Sequence, residues 1–402
     1  MLAIALGAML LVALGPRRIP PWVWPVAGAI FLVVFRFESP QAALGAIAGQ
    51  WNVLVFIFGL MLISAVADQS GLFAWVADAL VVAARGSRRR LFCYIFGSGA
   101  LLTAILANDT TAIVFTPIVY RAVAGRGIDA LPFLYACTFV ADTASFGLPF
   151  SNPANLLVIA RPEFIPYVLH LFVPMLIATG LNLLVFLVLF RRALGGRYAR
   201  AEPKRLEPRM RATLVTMSIV ALGYLAAMAA DLPLGPVAVA GALAVLIAAR
   251  ANPRAAVAQI AWSTFALLAG LFVLLDAVVH QGASAWALAG LHDAARHGPL
   301  GTLVAAAFGA AVAANLLNNL PVAAMSGALV AHGASKLLAY PFIAGIDLGP
   351  NLSTTGSLAT ILWLTIVRRR GVQVNPFEYL RLGLCFVPAA LLITCLWLWI
   401  VK

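Results

Sequence analysis

Between about residues 91 and 119 the chain is apolar apart from one interruption, where Asn108, Asp109, Thr110 and Thr111 stand side by side. In hydrocarbon each unsatisfied polar group costs on the order of several kcal/mol. Four in a row must therefore line something. A re-entrant hairpin whose tip reaches a cavity at mid-membrane meets that demand; a loop outside the bilayer is the plainer alternative.

The rest of the chain makes a bilayer the natural solvent. Of 402 residues, 63% are hydrophobic and only 10% charged, with a mean hydropathy of +1.00. No soluble domain has that composition, whereas a multi-span α-helical membrane protein does. The net charge of +13 does not indicate nucleic acid, because the basic residues fall in short clusters between apolar runs, as orienting charges in loops do. Cys93, Cys137, Cys385 and Cys395 sit in apolar context without C-x-x-C spacing, so neither a disulfide framework nor a zinc site is indicated, and no cofactor is expected. Arg17 and Arg18 follow the first apolar run rather than precede it, which suits a first span better than a cleaved signal.

Apolar runs predict spans at 1–15, 20–36, 51–68, 131–160 (interrupted) and 164–190, with a hairpin at 91–124 and an amphipathic surface piece near 72–84. After the basic stretch 191–211 the order recurs: spans at 212–230, 234–250, 262–280, 336–367 (interrupted) and 378–401, a surface piece near 284–295 and a hairpin at 299–333. The expected fold is thus an all-α membrane protein of about ten transmembrane helices, two of them interrupted, plus two re-entrant hairpins. Its units are 1–190, the linker 191–211, and 212–402.

A repeat is also written in identities. Trp51 and Trp262, Gly59 and Gly270, Leu60 and Leu271, Gly71 and Gly282, Ala74 and Ala285, and Trp75 and Trp286 are pairs separated by 211 positions. At that offset Asn108 falls on Asn319, within Asn315, Asn318, Asn319 and Pro321; farther on, an offset of 205 pairs Asp142 with Asp347 and Asn152 with Ser357. Five spans per half is an odd number, so the second half enters the membrane from the other side. Inverted repeats with broken helices are the signature of secondary transporters, whose sites lie where the breaks meet.

Charge counting sets an orientation. With the N-terminus outside, 22 of the 27 Lys and Arg residues fall on the cytoplasmic side, eight of them in the linker, leaving Arg36, Arg161, Arg296, Lys336 and Lys402 outside. The positive-inside rule favours this arrangement, with both termini external.

The strings 107–119 (ANDTTAIVFTPIV), 140–158 (VADTASFGLPFSNPANLLV) and 346–364 (IDLGPNLSTTGSLATILWL) resemble the arsenite and antimonite efflux permeases, the ArsB type, of the ion transporter superfamily. The resemblance covers nearly the whole chain. It implies an inner-membrane transporter exporting arsenite or antimonite, not an enzyme, and it admits a cytoplasmic ATPase subunit docking on the linker; protons as the second partner are the expectation drawn from the acids at the breaks. Thr110 and Thr111 replace the Gly-Ala of the arsenite branch, and Pro153 and Ala154 separate Asn152 from Asn155; both departures lean toward other members, dicarboxylate-like anion or sodium/proton transporters.

The expected substrate-binding set is Asn108, Asp109, Thr110, Thr111, Ser151, Asn152, Asn155, Asn315, Asn318, Asn319, Thr354, Thr355 and Ser357. Arsenite at neutral pH is a neutral trihydroxy species, and amide, hydroxyl and carboxyl side chains can pair all three of its hydroxyls. None of the motifs holds Lys or Arg, which weakens an anion reading, although helix N-termini can bind anions unaided. No cysteine lies in a motif to ligate arsenic. No G-x-x-x-x-G-K-[ST] occurs, so coupling falls to Asp142, Asp347 and Asp109 as proton carriers, each with the alternative of capping a half-helix. Thr143, Thr354 and Thr360 have the alternative of bonding back to their own helix. Asp68 reads as interfacial, Asp276 as a weaker carrier candidate, and His280 carries no role. Two Asp residues on different spans also suit an intramembrane aspartyl protease, but Ala344, Gly345 and Ile346 stand where its Gly-x-Gly turn belongs.

Overall fold

Glycines let apolar helices cross at backbone contact. Trp51–Gln69 packs along Leu234–Ala248, where a Cβ on Gly59 would stand 2.6 Å from the Ala238 carbonyl carbon. Trp262–His280 packs in the same way on Val23–Val34, where a Cβ on Gly270 would stand 2.6 Å from the Pro25 carbonyl carbon. Small residues at such crossings let membrane helices gain dispersion energy where no hydrophobic force acts between them. Gly270→Ala is expected to lower the thermal unfolding midpoint by several degrees, at about 1–3 kcal/mol for an overpacked contact, whereas Gly309→Ala, which meets nothing within 4 Å, leaves it unchanged. Thermal denaturation in detergent distinguishes the two.

The computed structural model describes residues 4, 7, 8, 11, 19–159, 161–199, 202, 205–280, 289–291, 293–296, 298–331 and 334–401, with the side chains of 110, 279 and 280 outside that description. The first span, 1–15, and the surface piece near 284–295 therefore lie largely outside the described residues, as does the His280 side chain. Among the described residues the chain is helical, with one isolated bridge between Ser87 and Arg197.

Among the described residues six helices are long and apolar enough to cross a membrane: Trp51–Gln69, Arg88–Leu106, Phe164–Leu189, Pro208–Ala229, Gly298–Leu317 and Pro376–Ile400. Two of these are the first arms of the segments read as hairpins. Ser87 caps the first arm and extends it through Arg88, Arg89 and Arg90, so only Leu91–Leu106 is suited to hydrocarbon, about 24 Å of helix at 1.5 Å per residue. That is short of the ~30 Å apolar core of a bilayer. Several of the other expected spans are shorter than their apolar runs: Val23–Val34 and Leu234–Ala248 have 12 and 15 residues.

Two features escaped the periodicity. Helix Pro40–Gly49, capped by Ser39, and Pro253–Ala258, capped by Asn252, occupy segments expected to be loops. A capping residue followed by proline was the signal available for both. The last span is broken between Pro376–Leu384 and Val387–Ile400, where Pro388 lies at the start of the second piece.

The polar run does turn the chain back. Ala107 adopts a left-handed φ of 71°, after which helix resumes from Asn108 to Ala124 with a π-helical turn at Thr111–Phe115. Thr103 Oγ1 donates to Thr111 Oγ1 at 2.9 Å, and Gly99 faces both Thr111 and Phe115, as antiparallel arms require. In the second such segment Asn318, with φ 78°, separates Gly298–Leu317 from Asn319–Ala331, again with the arms packed together. Ala107 and Asn318 are 211 positions apart (318 − 107).

Both interrupted spans unwind. Leu131–Thr143 ends at a non-helical stretch, and Asn152 caps the half-helix Pro153–Val158. Ala339–Leu348 passes through a tight turn, Gly349–Leu352, and Ser357 caps Leu358–Arg369. Each half-helix packs on the hairpin of the other half: Pro153–Val158 on Asn319–Ala331, and Leu358–Arg369 on Thr111–Phe115.

The 26 residues of Phe164–Leu189, about 39 Å of helix, separate two ends of the molecule. At one end the linker is pinned to the start of the first hairpin: Tyr198 N donates to Gly86 O at 2.9 Å, and its hydroxyl to Val81 O at 2.7 Å. Arg88 reaches Gly127 O there, and Arg370 lies over the Tyr120 ring. Burial raises the Tyr198 phenol above its ordinary range, so it stays a neutral donor in this clasp. At the other end Arg161, Glu163 and Lys336 surround a vestibule.

Candidate functional site

The two unwound segments meet in the interior, and each delivers a fully buried carboxyl to the other. Asp142, 1% exposed, accepts from Thr360 Oγ1 at 3.0 Å and from Ser357 Oγ at 3.3 Å, with Asn108 Nδ2 at 3.5 Å. Asp347, 0% exposed, accepts from Asn152 Nδ2 at 2.7 Å and Ser145 Oγ at 2.5 Å. Thus Asp142 rests on the cap of the second half-helix and Asp347 on the cap of the first. Such crossed pairing explains why the sequence places a polar residue ten positions after each Asp.

Hydrogen counting gives Asp347 a mechanical consequence. Ser145 Oγ lies 2.9 Å from Asp142 O as well as 2.5 Å from Asp347, yet it has one hydrogen. With Asp347 ionised, that hydrogen goes to the carboxylate, where a charge-assisted bond is strongest. With Asp347 protonated, the acid donates to Ser145 and Ser145 is free to close the end of Leu131–Thr143. A proton on one acid thereby tightens the break that carries the other.

Beside these pairs lies a cavity of about 10 Å³, room for about one water molecule, lined by Asn108, Asp109, Asn152, Pro153, Asn319 and Leu358 among others. Helices beginning at Asn108, Asn319 and Leu358 all aim their N-termini here, with the short Pro153–Val158 beside them. Asp109 is half-buried, and the Asn319 Oδ1 atom is a buried acceptor without a partner among the described residues. Among the described residues no Lys or Arg lines the cavity.

The vestibule, about 1000 Å³, approaches the same point from the Arg161 end. Its floor holds Leu157, Phe272 and Ala324; the cavity is lined by Pro153, Leu268 and Leu320, each four positions earlier on the same helices. One helical turn, about 5.4 Å, closes the cavity from the vestibule.

Not every expected residue faces the cavity. Asn108, Asp109, Asn152 and Asn319 do, while Ser357 turns to Asp142. Thr111 bonds within its hairpin, and Ser151 donates to Ala104 O at 3.0 Å. Asn155 donates to Ser145 O and Leu148 O, and Asn315 to Ala311 O and Gly349 O, so both brace unwound backbone. Asn318 donates to Thr355 O at 3.3 Å; Thr355 Oγ1 meets Ser353, and Thr354 lies partly exposed nearby. The Thr110 side chain is outside the described residues.

Sequence reasoning passed over Ser145 and left Thr360 open to a backbone role, although both stand inside the motifs. It also missed a buried cluster in which Asn182 and Asn351 donate to Thr143 Oγ1 at 2.9 and 3.3 Å. A lone Asn in an otherwise apolar span was the signal for Asn182.

The chain is similar along most of its length to known membrane proteins. An arsenical pump membrane protein of Escherichia coli is 27% identical over 366 residues, covering 86% of this chain and 85% of that protein. One from Yersinia enterocolitica is 26% identical over 365 residues with the same coverage. An uncharacterised transporter of Mycobacterium tuberculosis is 26% identical over 376 residues, 87% of this chain and 86% of that one. Among solved structures the YdaH transporter of Alcanivorax borkumensis superposes with a TM-score of 0.55 at 15% identity, covering 89% of this chain and 86% of that one, which is a likeness of fold. The citrate transporter family model CitMHS matches residues 3–347, and the chain is a multi-pass membrane transporter belonging to that family.

Proposed function

We propose that the protein exports arsenite and antimonite as neutral trihydroxides across the inner membrane in exchange for protons. Its halves act as inverted repeats, 1–190 and 212–402, joined by a cytoplasmic linker, 191–211, with both termini external. The observation carrying this reading is the character of the cavity. Several helix N-termini converge there and favour negative charge, and Asp109 supplies that charge from the protein. What is left for a substrate is acceptors, Asp109 and Asn319 Oδ1, which suit a small molecule rich in hydroxyl donors. Asn108, Asn152 and, as the site opens, Thr110, Thr354 and Thr355 complete the shell.

Asp142 and Asp347 carry the protons. The closed turn below the vestibule is an outward-facing gate at rest, and rocking the breaks and hairpins against the flanking helices opens the site to each side in turn. Related members that carry an anion would place substrate charge where Asp109 stands. Asp109→Asn is therefore expected to weaken antimonite protection of the purified protein against heat at least about 10-fold. Citrate at millimolar concentration is expected to give the native protein no protection. Protection by citrate and none by antimonite would assign the site to a carboxylate anion instead.

A further inference from the structure

Two tyrosines occupy matched places beside the buried acids. Tyr167 begins the span after the first break and Tyr379 the span after the second, 212 positions apart (379 − 167). Each is about 1% exposed or less, and each is linked to the acid of the other half through intervening residues: Tyr167 to Asp347 through the backbone of Ser145–Phe146, and Tyr379 to Asp142 through Thr360.

Their outer sides differ. Tyr167 forms part of the vestibule wall, against Tyr340 at 6.3 Å, and its hydroxyl donates to Phe146 O at 3.0 Å. The residue before Phe146 is Ser145, which holds Asp347. Tyr167 thus separates the vestibule from Asp347 by one side chain and fixes the backbone that presents Ser145. Tyr379 faces the linker end. Its ring packs on Tyr135 at 6.1 Å, and Tyr135 donates to the half-buried Glu378 at 3.4 Å. Inward, the buried Tyr379 hydroxyl lies beside Thr138 and Thr360, and Thr360 donates to Asp142 at 3.0 Å.

We propose that Tyr167 and Tyr379 are positioning residues that give the two acids opposite exits: Asp347 exchanges protons with the external vestibule past Tyr167, and Asp142 with the cytoplasmic face past Tyr379, Tyr135 and Glu378. A proton from external water adds to the Asp347 carboxylate; as the breaks rock it passes to the Asp142 carboxylate, and the Asp142 carboxyl releases it to cytoplasmic water, which restores both carboxylates. Neither tyrosine is itself ionised, and no covalent bond to the substrate forms. The assignment rests on the proton-exchange reading of the site and on its orientation.

The test uses Tyr167→Phe and Tyr379→Phe, which keep the rings and remove only the hydroxyls. Antimonite flux is measured in proteoliposomes of known orientation while the pH on each side is varied separately. Tyr167→Phe is expected to slow flux about 5-fold or more and displace its dependence on vestibule-side pH, leaving dependence on the other side as in the native protein. Tyr379→Phe is expected to do the reverse. Native pH dependence on both sides in both variants, or an equal loss without sidedness, overturns the proposal. Native flux indifferent to pH on either side would instead overturn the proton-exchange reading and take this assignment with it.

Discussion

Asp347→Asn is expected to abolish gradient-driven accumulation of antimonite, by at least about 100-fold, while substrate exchange without a gradient persists. The amide has the shape of the acid and imitates its protonated form permanently. Asn152 still donates to one terminal atom, 2.7 Å away in the native protein, and the new amide nitrogen donates to Ser145. Ser145 then holds Asp142 O continuously, so the site behaves as though the proton never leaves. Asp142→Asn has the same direction, because its donors Ser357 and Thr360 can reorient toward the amide oxygen. Accumulation in everted vesicles and counterflow in proteoliposomes measure the two activities separately. Native accumulation in both variants would remove these acids from the coupling.

Gly327→Ala is expected to cost about 100-fold in transport with the protein still present in the membrane. A Cβ at Gly327 would run into the carbonyl oxygen of Leu157, which is backbone and cannot swing aside. Relief requires the half-helix Pro153–Val158 to move off Asn319–Ala331. Its cap, Asn152, is the residue that bonds Asp347, and a displacement of about 1 Å at such a point can cost about 100-fold in rate. Gly97→Ala, with nothing within 4 Å, is the matched control. Equal transport rates for the two variants, at equal amounts in the membrane, would contradict the packing.

What the chain reveals before folding follows from what a bilayer penalises. Polar residues at bilayer depth are costly, so Asn108, Asp109, Asp142, Asn152, Asp347 and Ser357 stand out, and they do converge. Which acid meets which cap was not legible, because linear order pairs Asp142 with Asn152 while the fold crosses them. Nor could polarity separate Asn315 and Asn155, which brace unwound backbone, from Asn319, which faces the cavity. Both tasks call for an amide, and only geometry assigns them. Tyr167 and Tyr379 gave no sign at all, since an aromatic near a span end is ordinary at a membrane interface. Helix lengths were blurred as well: Val23–Val34 and Leu234–Ala248 end before the apolar runs that contain them do.

The most direct test of the central claim is uptake of antimonite into everted membrane vesicles containing this protein, with and without an imposed proton gradient, acid inside. Accumulation that appears with the gradient and collapses when a protonophore is added is the predicted result. Vesicles shown to contain folded protein that take up no antimonite under either condition would contradict it, and gradient-driven uptake of citrate in the same vesicles would reassign the site.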